Sequence, residues 1–488
     1  MRENLMRMWN GIARMPRGCG KTALALMPAV VLLHLYCADG WAQSSERPDR
    51  VKNVILMIGD GWGFNHLEAT DYYQYGEKGR QIFEREFLQF AVSTFSNGSG
   101  YDPQAAWNDF QYVKRGTTDS AAAATAIATG VKTRNGMIGV DPENHPLENV
   151  VQEAEKRGKA TGVVTSVQIS HATPAGFVAH NKSRGNYAEI AREMFLRSGV
   201  DVIMGAGHPW FDDNGKPSVS VDGKNLPEGV DQAKYRYVGG PEMWKQLLTG
   251  NAGGDADGDG QPDAWALLQT RDDFRKLIEG DTPKRVAGVA QVADTLQLDR
   301  ASSTGKAEQE EPGQSPRLET VPTLAEMTQA ALNVLDNDPD GFFLMVEGGA
   351  IDWASGKQLG RMIEETMDFF AAIDAALAWV ETKSSWQETL VVITADHETG
   401  YLNGPDSDPD WRPIHNNGKG KTPGAKWCGG HTNSLVPLFV KGRGAEAFEK
   451  AAVHEDPKRG KYLDNTDIGK IIGDAMSRFV AEPQFGRQ

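Results

Sequence analysis

Three apolar runs in this chain end in an acid at the same relative place, and that pattern restricts the fold more than any other feature. Residues 54–58 lead to Asp60, residues 342–346 to Glu347, and residues 390–394 to Asp396, with His397 directly behind. Aliphatic runs of this length, closed by a turn signal such as Gly59-Asp60-Gly61, read as buried strands. The same reading predicts strands over 51–58, 91–96, 160–167, 201–204, 341–346, 390–394 and 436–440. Helices are predicted over 147–157, 187–197, 324–335, 358–381 and 468–480. Buried strands alternating with helices predict an α/β fold, with a central, mainly parallel sheet and helices on both faces. Ligands of such sheets bind beyond the carboxyl ends of the strands, so the three acids are expected at one edge. Gathered carboxylates repel one another unless a cation neutralises them. Asp and His suit zinc, and Asp, Glu and Thr oxygens suit magnesium.

Residues 115–130 supply a different kind of group. Thr118, Asp119 and Ser120 are helix-capping types, an alanine-rich run follows, and Gly130 is a stop signal. A hydroxyl at a helix N-terminus sits among unpaired N–H groups and the positive end of the dipole, which suits an anion or a nucleophile attacking one. Ser120 is therefore either a plain cap or a nucleophile, and the acids beside it favour the nucleophile.

The strand–helix rhythm breaks over about 209–323, which is richer in Gly, Pro and charge and reads as an insertion decorating the core. Residues 272–279 form a short helix there, and residues 301–317 read as a flexible surface loop. Asp255, Asp257, Asp259 and Asp263 stand at positions one, three, five and nine of an EF-hand-like loop, with Gly260 at six. Ala266 stands where the usual Glu would be. A structural calcium and an acidic turn both fit this segment.

The net charge of −15 argues against nucleic acid or an anionic membrane as a partner. An anionic substrate would need metal ions or single arginines. Arg2, Arg7, Arg14, Arg17 and Lys21 precede an apolar run over 22–36 that is too short to favour a membrane span. Gly40-Trp41-Ala42 offers a cleavage site, so residues 1–42 read as a signal peptide and the mature start falls near Gln43. Cys19 and Cys37 leave with it, and Cys428 remains alone, which excludes an intrachain disulfide in the mature chain. A periplasmic or secreted protein is expected.

Six motifs, in order, resemble those of the alkaline phosphatase family: Gly59-Asp60-Gly61, residues 118–126, His171-Ala172-Thr173-Pro174-Ala175, residues 347–352, residues 394–398 and Gly430-His431-Thr432. The resemblance spans about residues 52–445. It implies one large α/β domain over 43–488 with a crown-type insertion, in place of the roughly three domains that length alone suggests, and a homodimer. It also implies hydrolysis of small phosphate monoesters through a phosphoserine, with zinc and magnesium.

Residue by residue, the resemblance makes Ser120 the nucleophile and a metal-facing oxygen. Asp60 bridges the second zinc and the magnesium, and Asp396 and His397 complete that zinc. Thr173 and Glu347 hold magnesium, with His171 beside them. Asp352 and His431 hold the first zinc. Arg184 clamps phosphate oxygens, for which a guanidinium fork is well shaped, and Asp119 is placed to steady the fork. Trp353, directly after Asp352, either lines the phosphate pocket or packs in the core. One position departs from the pattern: Gly356 stands where a further first-zinc histidine is expected. His415 is a candidate replacement. Otherwise that site fills weakly, with substrate present, or stays empty.

A phosphomonoesterase is thus the first expectation. A related enzyme acting on phosphodiesters or sulfate esters is the second, and a weakly active or non-catalytic metal or phosphate binder, motivated by Gly356, is the third.

Overall fold

A computed structural model describes residues 50–220, 226–256 and 260–477. The expected signal segment 1–42 lies outside the described residues, as do Asp257 and Asp259. Eleven strands of the described residues form one twisted sheet. Its order runs His454–Asp456, Gly460–Asp464, Leu88–Ser93, Val436–Gly442, Thr389–Ala395, Asn53–Gly59, Phe342–Gly348, Ala160–Gln168, Val202–Ala206, Val286–Val289 and Ala266–Leu268. The strands from Thr389–Ala395 through Ala266–Leu268 are all parallel, as a sheet threaded through crossover helices must be. Antiparallel pairing enters at Val436–Gly442 and again at the far hairpin.

The central strands are buried along their whole length, because both faces are covered. Adjacent side chains show this: Phe343 stacks on Phe177 of the helix Ala172–Val178, whereas Phe342 meets Trp379 of the helix Leu359–Lys383 edge to face. Successive strand residues point to opposite faces, so one helix lies on each side. The helices Ser120–Thr129 and Asn465–Met476 join the first layer, and Leu324–Leu335 and Phe64–Tyr75 the second.

The observed elements follow the sequence expectation, with shifted ends. The closing helix begins at Asn465 rather than at 468, because Asp464 caps it and Asp467 closes a capping box. The expected helix over 147–157 is regular only over Val150–Glu155, where Asn149 and Gln152 make a similar box.

Two expectations for 209–323 need correcting. Its strands Ala266–Leu268 and Val286–Val289 hydrogen-bond into the main sheet, so part of this segment extends the core. The polar stretch 301–317 is not loose. Glu310 is buried against the guanidinium of Arg361, 2.6 Å away, and accepts a 2.6 Å hydrogen bond from each of Ser302 and Ser315. Arg300 pairs with Glu364 of the same long helix. Buried ion pairs replace the apolar contacts that the composition lacks. Among the described residues no helix is long and apolar enough to cross a membrane.

Candidate metal-dependent active site

Strand register assembles the site. Ile58 lies opposite both Glu347 and Thr394, Gly59 lies opposite Ala395, and Thr165 lies opposite Glu347. Asp60 and Asp396, each the next residue beyond those pairs, therefore emerge side by side with Glu347 at the carboxyl edge. Gly61 turns the chain away with φ of 70°, and a side chain there would strike Asp352 Cα at 2.9 Å. Its N–H donates to Asp396 Oδ1 over 3.0 Å.

Asp119 caps the alanine helix through Ala122 N–H, and Gly130 closes the helix in the left-handed conformation. Ser120 is thus the first helical residue and not the cap, which leaves its hydroxyl available. Ser120 Oγ lies 3.4 Å from Asp60 Oδ2 and 3.3 Å from His397 Nε2. Arg184 reaches the same place from its loop. Its Nη1 donates to Asp119 Oδ2 over 3.1 Å, and Nη2 is 3.4 Å from His171 Nε2. Trp353 meets the His171 ring edge-on at 5.3 Å, and Tyr187 stacks on it at 6.3 Å.

The electrostatics are those of an acid cluster short of positive charge. Burial first, then Asp396, Asp352 and Glu347, push the Asp60 carboxyl well above its usual range. Burial raises Asp396 to about 6 and Glu347 to about 7, the latter against a hydrogen bond from Thr165. Burial works the same way on Asp352, but His431, His397 and Thr399 outweigh it and hold that carboxyl low. For His431 burial is overridden by Asp352, which raises the imidazole to about 9. Burial and His431 lower His397 to about 3, so its ring is neutral.

Cations fit this arrangement. Asp60, Asp396 and His397 present ligand atoms within 4.8 Å of one another, and so do Asp352, His397 and His431. Asp396 Oδ2 makes no hydrogen bond among the described residues yet lies 3.3 Å from His397 Nε2. Thr173 Oγ1 and Glu347 Oε1 are likewise buried without a partner there, and a buried polar atom left unmatched is costly. Asp60, Asp396 and His397 offer the mixed oxygen and nitrogen set that zinc takes, while Thr173 and Glu347 offer oxygens alone, as magnesium prefers.

Some expected residues stand elsewhere. His415 is exposed, pairs through its backbone with Gly424, and belongs to neither ligand set, so it does not replace the absent histidine. Of the acidic loop, Asp255 accepts from Gly260 N–H, and both Asp263 oxygens are engaged, by Ala256 N–H and by Lys284.

Two residues escaped the sequence reading. Thr165 donates to Glu347 Oε2, and Thr399 donates to Asp352 Oδ1 while lying 3.1 Å from His397 Nδ1. Their one signal was position, inside the buried strand Ala160–Gln168 and two residues after His397, and threonine is ordinary in both places.

Residues 51–427 match the family model described as alkaline phosphatase. The chain belongs to the alkaline phosphatase family. Alkaline phosphatase 3 of Bacillus subtilis is 32% identical over 74% of this chain and 64% of its own length, and alkaline phosphatase H of Pseudomonas aeruginosa is 31% identical over 71% and 69%. The match thus covers slightly under two thirds of the Bacillus protein. Among solved structures, the alkaline phosphatase of the psychrophile Shewanella sp. aligns with a TM-score of 0.60 at 24% identity, over 87% of this chain and all of the other. That of the Antarctic bacterium TAB5 aligns with a TM-score of 0.58 at 24% identity, over 88% and 98%. These alkaline phosphatases share the fold of this chain.

Proposed function

We propose that the chain hydrolyses phosphate monoesters through a covalent phosphoserine at Ser120 and releases inorganic phosphate. The observation that carries this reading is the meeting of Ser120 Oγ with Asp60 and His397 within 3.5 Å, beside the Arg184 guanidinium. Zinc-class cations on the Asp60–Asp396–His397 and Asp352–His431 sets, with magnesium on Thr173 and Glu347, would lower the pKa of bound hydroxyl and water and offset the negative charge of phosphate. A variant of the TAB5 enzyme has been solved with Mg bound in its M3 site.

The side chains divide the remaining work. Arg184 donates to two non-reacting phosphoryl oxygens, and the salt bridge to Asp119 fixes the fork before the ester arrives. The positive end of the helix that begins at Ser120 favours the same charge. Ser120 Oγ forms the new O–P bond as the ester C–O–P oxygen leaves with a proton as alcohol. Water then forms the next O–P bond, and the serine oxygen departs. Asp60, whose Oδ2 is within hydrogen-bonding range of the hydroxyl, orients it. A monoester offers the fork more free oxygens than a diester does. Export to the periplasm or medium and a homodimer follow from the same family reading.

Turnover of p-nitrophenyl phosphate beside bis(p-nitrophenyl) phosphate tests the proposal. The monoester should be preferred, and Ser120→Ala should remove its turnover. Preference for the diester would move the assignment to a phosphodiesterase. Release no faster than Ser120→Ala would leave a binding protein.

A further inference from the structure

His397 is common to both three-residue ligand sets, and it can serve only one of them. Thr399 has a single hydroxyl proton and donates it to Asp352 Oδ1. Toward His397 Nδ1, 3.1 Å away, Thr399 Oγ1 must therefore accept, so Nδ1 carries the ring hydrogen. That leaves one lone pair, on Nε2. Nε2 lies 3.5 Å from Asp60 Oδ1 and 3.3 Å from Asp396 Oδ2, and a neutral imidazole nitrogen binds one ion. The other set is reduced to Asp352 and His431. The His431 ring is fixed by Nδ1 against Thr118 O at 3.0 Å, with Nε2 3.4 Å from Asp352 Oδ1.

Among the described residues no other His, Cys, Asp or Glu joins the Asp352–His397–His431 set. Gly356 lies four residues past Asp352 at φ of 82°, and a Cβ built on it meets only Gly429 O, at 3.9 Å. The space there is open, and backbone in that conformation disfavours any other residue.

We propose that this chain holds one zinc-class cation tightly, on Asp60, Asp396 and His397, and a second on Asp352 and His431 whose remaining coordination comes from the phosphate group itself. This rests on the function proposed above. The second cation then binds cooperatively with phosphate, and by linkage each tightens the other by the same factor. Such an enzyme is fully loaded only while its anionic ligand is present.

Equilibrium dialysis of the metal-free protein against buffered zinc, with and without submillimolar inorganic phosphate, tests this without reference to turnover. The tight ion should bind in both conditions, and the second should bind at least about tenfold more tightly with phosphate, within the usual range of coupling. His431→Ala should remove the phosphate-dependent ion and keep the tight one, with circular dichroism showing a retained fold. Two equally tight ions without phosphate, or a second affinity that phosphate leaves unchanged, would overturn the inference, even if monoester turnover is normal. Absence of turnover with phosphate-coupled zinc intact would instead remove the catalytic reading and support the coupling.

Discussion

Thr399 touches both ligand sets through one hydroxyl, so its removal should be felt beyond its size. Thr399→Val keeps the shape and loses the hydrogen bonds to Asp352 and His397. Partners that orient metal ligands are typically worth about 10- to 100-fold in metal affinity or activity. The expected result is a loss of that order in zinc affinity with an unchanged melting temperature in the metal-free state. Arg184 makes the complementary case. A lysine there retains the charge but not the fork, so Arg184→Lys should raise KM for a monoester nearly as much as Arg184→Ala, measured by steady-state kinetics. The residue types and order made Asp60, Ser120, Glu347 and Asp396 legible as candidates, because strand ends and caps have sequence signatures, whereas Arg184, in a loop, was legible only through the family resemblance. Thr165 and Thr399 were not legible. A threonine's partner is decided by register between distant strands, and no local pattern carries that.

At the scale of elements, the buried strands were readable from apolar runs, and helix ends moved where a cap overrode the pattern, as at Asp464. The stretch 301–317 was misread because composition records how little apolar surface a segment can bury and says nothing of buried ion pairs. Arg361 and Glu310, with side chains 1% exposed, should be unforgiving: Arg361→Ala leaves an unpaired buried carboxylate, at a cost of about 3–5 kcal/mol, checked by denaturant unfolding. Glu365, on the same helix, provides a pH test. Burial first, then Asp368, push its carboxyl to about 8 against Arg317, from an ordinary value of 4.5. A group whose folded value is raised contributes stability below the unfolded value and loses it as pH rises through the folded one. Stability should therefore decline between pH 4.5 and about 8, and Glu365→Gln should flatten that decline.

Across the whole molecule, a net charge of −15 and an uncompensated acid cluster both make the metal-free protein the less stable form. A ligand that binds only the folded state stabilises by about 2.7 kcal/mol at 100 times its Kd. Chelation should thus lower the melting temperature, and zinc with magnesium should restore it, as calorimetry would show. The parallel sheet ties this to function, since the strands that form the core also deliver the acids. Its extension through 266–289 was hidden in the sequence because the strands Ala266–Leu268 and Val286–Val289 are short and sit in a polar surround.

The proposed chemistry stands or falls on whether Ser120 takes up the phosphoryl group. Rapid acid quench during turnover of a phosphate monoester, followed by mass spectrometry of the peptide that contains residue 120, measures it directly. Phosphate is expected on Ser120 and is expected to be absent from Ser120→Ala. Steady turnover with no phosphate on that residue at any time point would contradict it.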